Sequence, residues 1–375
     1  PADYRIRVIT PSNEITLSTL GIKYEPFAQS MIDAFGDALE KALLMREPNR
    51  IYEVRAHYAH IQGGGQSSGI YRARIYPTGV VILPDNAPPF KVPFSSISSV
   101  EAENYRIRVA ASNGGATELS RMGNATQFFA DKLSAARRDL ESETLETLKG
   151  MLPSVRYEEL SALNVLLSEG RAALSKDIEA ISKELWKMLE TKVNESSLAE
   201  TYKYISSLGS HEYTAIGLKK AMQGIHVWFL VPISGPVEKG GNSLVMEVTS
   251  ETGHATYLFR VMGRKEFPLA TPEAFLSDAE ENMKALNEGM IATGFRREPI
   301  YLSEDKLSTP AYSKYLYAAK NLDVLGALRE RFYARIIHTT HENWLKDLTE
   351  AMAFNTKTLQ DEACWRKSPL GQPEE

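Results

Sequence analysis

With 375 residues the chain is more than twice the length of a typical domain, so more than one folding unit is expected. A hydrophobic content of 43% beside 24% charged residues excludes collagen-like, purely coiled-coil and wholly disordered polymers. The formal charge of -5 gives no global attraction to nucleic acid or anionic lipid, and the lone Cys364 excludes a disulfide framework or a cysteine-rich zinc site. With its longest apolar run, Val227 to Val231, too short to cross a bilayer, the composition points to a cytoplasmic protein.

In chain order, the first element is a strand, Tyr4-Arg5-Ile6-Arg7-Val8, whose apolar and charged residues alternate at the period of a half-buried strand. It recurs letter for letter as Tyr105-Arg106-Ile107-Arg108-Val109. The repeat continues: Ile15 to Gly21 lies over Thr117 to Gly123, and Phe27, Ala28, Met31 and Ala34 fall on Phe129, Ala130, Leu133 and Ala136. Each copy reads as strand, turn, strand, glycine, helix. A third, fainter echo runs from Leu244 to Gly263 and into a helical stretch from Pro272 to Asn287.

Between the first two copies, Ile51–Ile61, Ile70–Tyr76, Val80–Leu83, Phe90–Phe94 and Ile97–Ala102 are β-branched or aromatic runs separated by Gly, Pro and Asn clusters. With the hairpin of the second copy they make seven short antiparallel strands closed by one long helix. Through Arg74-Ile75-Tyr76-Pro77-Thr78-Gly79-Val80-Val81-Ile82, Val92 to Val100 and the closing helix Thr126 to Leu148, residues 51–150 resemble a bacterial pleckstrin-homology-like (PH-like) domain. The resemblance implies a bent, nearly orthogonal β-sandwich plugged at one corner by its helix. The expected fold class is therefore α+β: PH-like antiparallel β-sandwich or barrel units each closed by a helix, plus a helical region.

The remaining organisation is read as follows. Residues 1–50 are a partial hairpin–helix repeat, composite with the strands and helix of 224–290. Residues 151–223 are a helical segment in which Ser175 caps a helix carrying Ile178, Ile181, Leu185, Met188 and Leu189. Residues 291–356 are a helical C-terminal region, with Leu322, Leu325, Leu328, Phe332 and Ile336 at helical spacing. Residues 357–375 are a breaker-rich, mobile tail.

Catalytic motifs are scarce. Gly65-Gln66-Ser67-Ser68-Gly69 has the spelling of a nucleophile elbow, but a strand rather than a helix follows it. His338 and His341 stand three apart on an expected helix, a weak metal pair without a third ligand. The densest mixture of basic and aromatic side chains includes Arg296, Arg297, Tyr301, Tyr315, Arg331 and Arg335, suited to phosphate contact or a protein interface. Lipid headgroup binding of the PH type needs a basic first hairpin loop, and Gln62 to Gly69 contains no Lys or Arg. The expectation is a non-catalytic adaptor or scaffold without cofactor or metal, binding protein partners and able to self-associate. The alternatives are a membrane- or nucleic-acid-associated module using the C-terminal Arg/Tyr region, and an enzyme whose site converges only in three dimensions.

Overall fold

A computed structural model describes residues 5–356, apart from positions 11, 63–64, 113, 222–223, 236–240, 251–252 and 264; the expected tail and Cys364 lie outside the described residues. The chain divides into two units, residues 1–137 and 138–375.

The first unit runs β1 (Ile6–Ile9), β2 (Glu14–Leu17), α1 (Tyr24–Ala42), β3 (Tyr52–Gln62), β4 (Gly65–Tyr76), β5 (Gly79–Pro84), β6 (Phe90–Pro93), β7 (Ile97–Glu103), β8 (Arg106–Ala111), β9 (Ala116–Ser120) and the first half of α2 (Ala125–Met151). Strands β3 to β9 form one curled antiparallel sheet in the order β6-β5-β4-β3-β9-β8-β7. Every connection in it is between sequence neighbours except β3 with β9, where His57 to Ile61 lie opposite Ser120 to Ala116. That pairing makes the first strand of the sheet the bridge between its two halves. Inward-facing Tyr58, Tyr71, Ala73, Ile75, Val80, Ile107, Val109 and Leu119 are buried, as are Phe129, Leu133 and Ala136 on one stripe of α2. Fully burying a Val, Leu, Ile or Phe side chain stabilises by about 1.5–3 kcal/mol.

The alternating Tyr71-Arg72-Ala73-Arg74-Ile75-Tyr76 suggests a wet outer face, yet all six residues are buried. Helix α1 covers it, docking through polar residues: Gln29, Asp33, Asp37 and Glu40 stand three or four apart and so share one side. Arg74 donates to Glu40 Oε2 at 2.5 Å, Glu53 Oε2 at 2.6 Å and Asp37 Oδ1 at 2.7 Å, and the Tyr76 hydroxyl donates to Glu40 Oε1 at 2.7 Å. Arg72 donates to Asp37 Oδ1 at 3.1 Å and to the Asp33 carbonyl at 2.8 Å, while Arg55 reaches Gln29 and Asp85, both at 2.7 Å. Burial alone would raise the Asp37 carboxyl, but the hydrogen bonds and charges of Arg74 and Arg72 outweigh it and hold the group below its ordinary value. Desolvation works against the charge on Arg74 and is overcome by Glu53, Asp37 and Glu40, so its pKa is raised.

Strands β1 and β2 pair with each other as a separate two-stranded sheet, and residues 224–263 pair within another sheet. The expected composite of 1–50 with 224–290 is therefore corrected: among the described residues no ladder joins them, because residues 224–263 find their outer partners in β11 and β15 instead.

The second unit contains the rest of α2, then α3 (Tyr157–Leu166), β10 (Ala172–Leu174), α4 (Ser175–Ile181), α5 (Lys183–Asn194), α6 (Ala199–Leu208), β11 (Ala215–Ala221), β12 (Gly224–Ile233), β13 (Ser243–Ser250), β14 (Gly253–Arg260), α7 (Pro272–Ala292), α8 (Glu298–Tyr301), α9 (Glu304–Leu307), α10 (Ser313–Asn321), α11 (Asp323–Arg331), β15 (Phe332–Ile337) and α12 (His341–Thr356). Its six strands are antiparallel in simple sequence order, β10 to β15. One face carries Ile216, Phe229, Val231, Val245, Leu258 and Ile336 into a core with Leu163, Ile178, Leu189, Ile205 and Trp344 from α3, α4, α5, α6 and α12. Trp228, Leu230, Met246, Tyr257 and Phe259 alternate with them on the other face and are also buried. Gly217 lies opposite Trp228, whose indole donates to the Gly170 carbonyl at 2.8 Å; a Cβ at Gly217 would overlap that ring.

Three sequence expectations change here. The segment 151–223 is not purely helical, since it supplies β10 and β11. The expected stripe through Ser175 breaks at Ser182 into α4 and α5, and Ser175 is the first helical residue, its hydroxyl donating to the His211 carbonyl at 2.5 Å rather than capping. Phe332 and Ile336 lie in a strand: Phe332-Tyr333-Ala334-Arg335-Ile336-Ile337 is rich in β-formers, and β14 supplies its ladder. The third echo keeps its hairpin and helix as β13, β14 and α7, but the positive-φ glycine of the other copies does not recur at Gly263.

Candidate interaction surfaces

In the first unit, the repeat is also a repeat of backbone. Thr19 and Arg121 both have φ 60, and Gly21 and Gly123 have φ 55 and 56, so each chain leaves its hairpin by the same left-handed turn. Their packing differs. Ile107, Val109, Leu119, Phe129 and Leu133 are buried, whereas Ile15 is 53% exposed, Phe27 38% and Phe35 65%. Aligned positions exchange polar for apolar side chains: Thr117, Asn124 and Arg137 of the second copy are Ile15, Ile22 and Phe35 in the first. Helix α1 is thus inverted, its polar side against the sheet and Phe27, Ala34, Phe35 and Ala38 toward solvent. Beside it, Glu14, Ile15 and Thr16 of β2 are exposed. In the second copy the corresponding strand, β9, is covered by β3.

In the second unit, Tyr257 on β14 lies opposite Arg335 on β15, and α8 brings Arg297 and Tyr301 to the same place. The Tyr257 and Tyr301 rings are 5.7 Å apart, and the Arg335 guanidinium sits 4.7 Å from the Tyr301 ring and 5.9 Å from that of Tyr257. Arg297 Nε donates to the Tyr257 hydroxyl at 3.4 Å. Arg329 fixes α8, donating to the carbonyls of Pro299 at 2.8 Å and Leu302 at 2.7 Å where the helix leaves acceptors unmatched. Of the residues expected from sequence, Arg297, Tyr301 and Arg335 come together. Arg296 is exposed, Tyr315 is buried in α10, and Arg331 donates to the Val261 carbonyl at 3.4 Å. Tyr257 was not foreseen, because in sequence it is one aromatic residue in an apolar strand; only the β14–β15 register places it.

The histidine pair does not share a helix. His338 follows β15 and His341 begins α12, and both rings lie against Trp344, at 5.2 and 5.4 Å. His338 Nε2 is 3.1 Å from Glu247 Oε1 and 3.1 Å from Thr256 Oγ1. Thr256 donates to Glu247 Oε2 at 2.5 Å, and the Trp344 indole donates to Thr256 at 2.8 Å. Glu247 is fully buried; Thr256 hydrogen-bonds its Oε2, while Oε1 makes no hydrogen bond and is approached by His338 Nε2. His338 therefore ties a core carboxylate. Among the described residues no three His, Cys, Asp or Glu side chains gather in a way that could hold a metal. Ser67 lies inside β4, opposite His60, with no strand-to-helix elbow.

These features define an α+β chain with one curled antiparallel sheet, a second sheet between helices, and a candidate interaction surface in each unit. Among known proteins no family model matches the chain, and no curated protein matches it in sequence. Among the described residues no helix is long and apolar enough to cross a membrane.

Proposed function

We propose that the protein is a non-catalytic adaptor or scaffold, that its first unit is a PH-like sandwich, and that the hairpin–helix of residues 6–42 is the surface it offers to protein partners, first of all a second copy of itself. The sheet order, with β3 bridging two halves and α2 following β9, supports the PH-like assignment. The inverted helix carries the interaction reading: charged groups hold α1 down while its apolar stripe and the β2 edge stay open. Open edges and apolar patches recruit strands and other apolar faces.

Pairing two copies along β2, antiparallel and centred on Thr16, sets Ile15 beside Leu17 and Glu14 beside Ser18, with no like charges facing. β1 carries Arg7, with Arg5 just before it, and is the less suitable edge. Sedimentation of the full chain across micromolar concentrations is expected to show a dimer that the I15K/F35E double variant disrupts without loss of circular dichroism. A monomer throughout, or a dimer indifferent to both substitutions, would overturn this reading.

A further inference from the structure

The Arg–Tyr cluster of the second unit has an unusual balance: its hydrogen-bonding groups are nearly all donors. Arg335 makes no hydrogen bond and no ion pair among the described residues, and its Nε is buried. Arg297 makes no ion pair there either; it donates to the Tyr257 hydroxyl and, through Nη1, to the Phe295 carbonyl at 3.0 Å. The Tyr257 hydroxyl, having accepted from Arg297, has no described acceptor for its own proton, and the Tyr301 hydroxyl makes no described bond. Burial chiefly pushes the Tyr301 phenol up to about 12, with Glu298 and neighbouring tyrosines adding to it against Arg335, so it remains a donor at neutral pH. Glu298 is the nearby acidic group, and it pairs with neither arginine among the described residues.

A buried guanidinium nitrogen without an acceptor, as at Arg335 Nε, is costly, and guanidinium forks match phosphate oxygens in geometry. We infer that Arg297, Arg335, Tyr257 and Tyr301 form a binding site for a phosphate monoester dianion. Two positive charges without a counterion call for a doubly charged ligand. A carboxylate or a phosphate diester brings one negative charge and leaves the site half neutralised. The two phenols then donate to the remaining oxygens. The assignment is independent of the self-association proposed for the first unit.

The experiment is calorimetric titration of the full chain at constant ionic strength with inorganic phosphate, phenyl phosphate, dimethyl phosphate and acetate. Phosphate and phenyl phosphate are expected to saturate one site, with dimethyl phosphate and acetate about tenfold weaker or silent. R335Q and R297Q should each weaken phosphate by about tenfold or more. Circular dichroism and thermal melting check each variant, and if R335Q does not fold, the partly exposed R297Q carries the comparison. Absence of saturable phosphate binding, or a diester or acetate bound as tightly, would overturn the assignment. So would phosphate binding unchanged in a folded variant, which marks an adventitious ion only. Phenyl phosphate weaker than inorganic phosphate by more than tenfold would reject an esterified ligand.

Discussion

The two copies of the hairpin–helix share an identical five-residue strand segment and the same left-handed exit turn, yet one is the wall of a closed core and the other lies open on its own ladder. Local sequence dictates the hairpin, the turn and the start of the helix in both. Surroundings dictate which side of the helix is buried. In α2 the apolar stripe Phe129, Leu133 and Ala136 meets the interior of a sheet, while in α1 the side that docks is Gln29, Asp33, Asp37 and Glu40. Amphipathicity therefore says that a helix has two sides, not which one it will hide.

The strongest way to break this contrast is a matched pair of truncations. Phe129→Ala empties a fully buried site and is expected to cost about 3–5 kcal/mol in denaturant unfolding. Phe27→Ala, at the aligned position, should cost about 1 kcal/mol or less. Equal losses would mean that α1 buries its apolar stripe in solution. An intermediate effect is expected from Glu40→Gln, which keeps the shape but removes the charge facing Arg74 and Tyr76. It should cost about 1.5–3 kcal/mol, read in the same unfolding experiment, and should loosen α1 in hydrogen exchange before the rest of the unit.

The smallest effect is one of pH. Because the folded Asp37 carboxyl is held below its ordinary value, it supports docking fully above about pH 4 and loses that support as pH falls through the lower folded value. Amide protection of α1 should accordingly decline below about pH 4. Protection unchanged down to pH values about two units lower would remove Asp37 from the docking network.

The sheet of the first unit is legible in sequence because period-two alternation and Gly, Pro and Asn turns mark every strand, and only β4 begins five residues before its expected start. What alternation could not reveal is the cover over Arg72 and Arg74, since a charged side facing water and one facing acidic residues of α1 spell the same pattern. Phe332 and Ile336 depart from the expected helix for a related reason: a short apolar run after a helix fits either period, and only the β14 ladder decides. Of the Arg–Tyr cluster, Arg297 and Tyr301 are neighbours on the chain and their density was visible. Their meeting with Arg335 and Tyr257 depends on register between distant strands, as does the burial of Glu247 beside His338.

One quiet contact shapes how the second unit comes into being. The side-chain amide of Asn287 accepts from the Ala172 nitrogen at 2.7 Å and donates to the Ala172 oxygen at 3.0 Å, standing where another strand would otherwise bind. The first rung of that ladder is thus completed by a residue 115 positions downstream, and the opposite margin by a strand later still. During synthesis the central hairpins can zip as they emerge, but both margins wait for the chain to arrive, so closure is a late and concerted event. Pulse-labelling of nascent chains halted before Asn287 would find Ala172 unprotected.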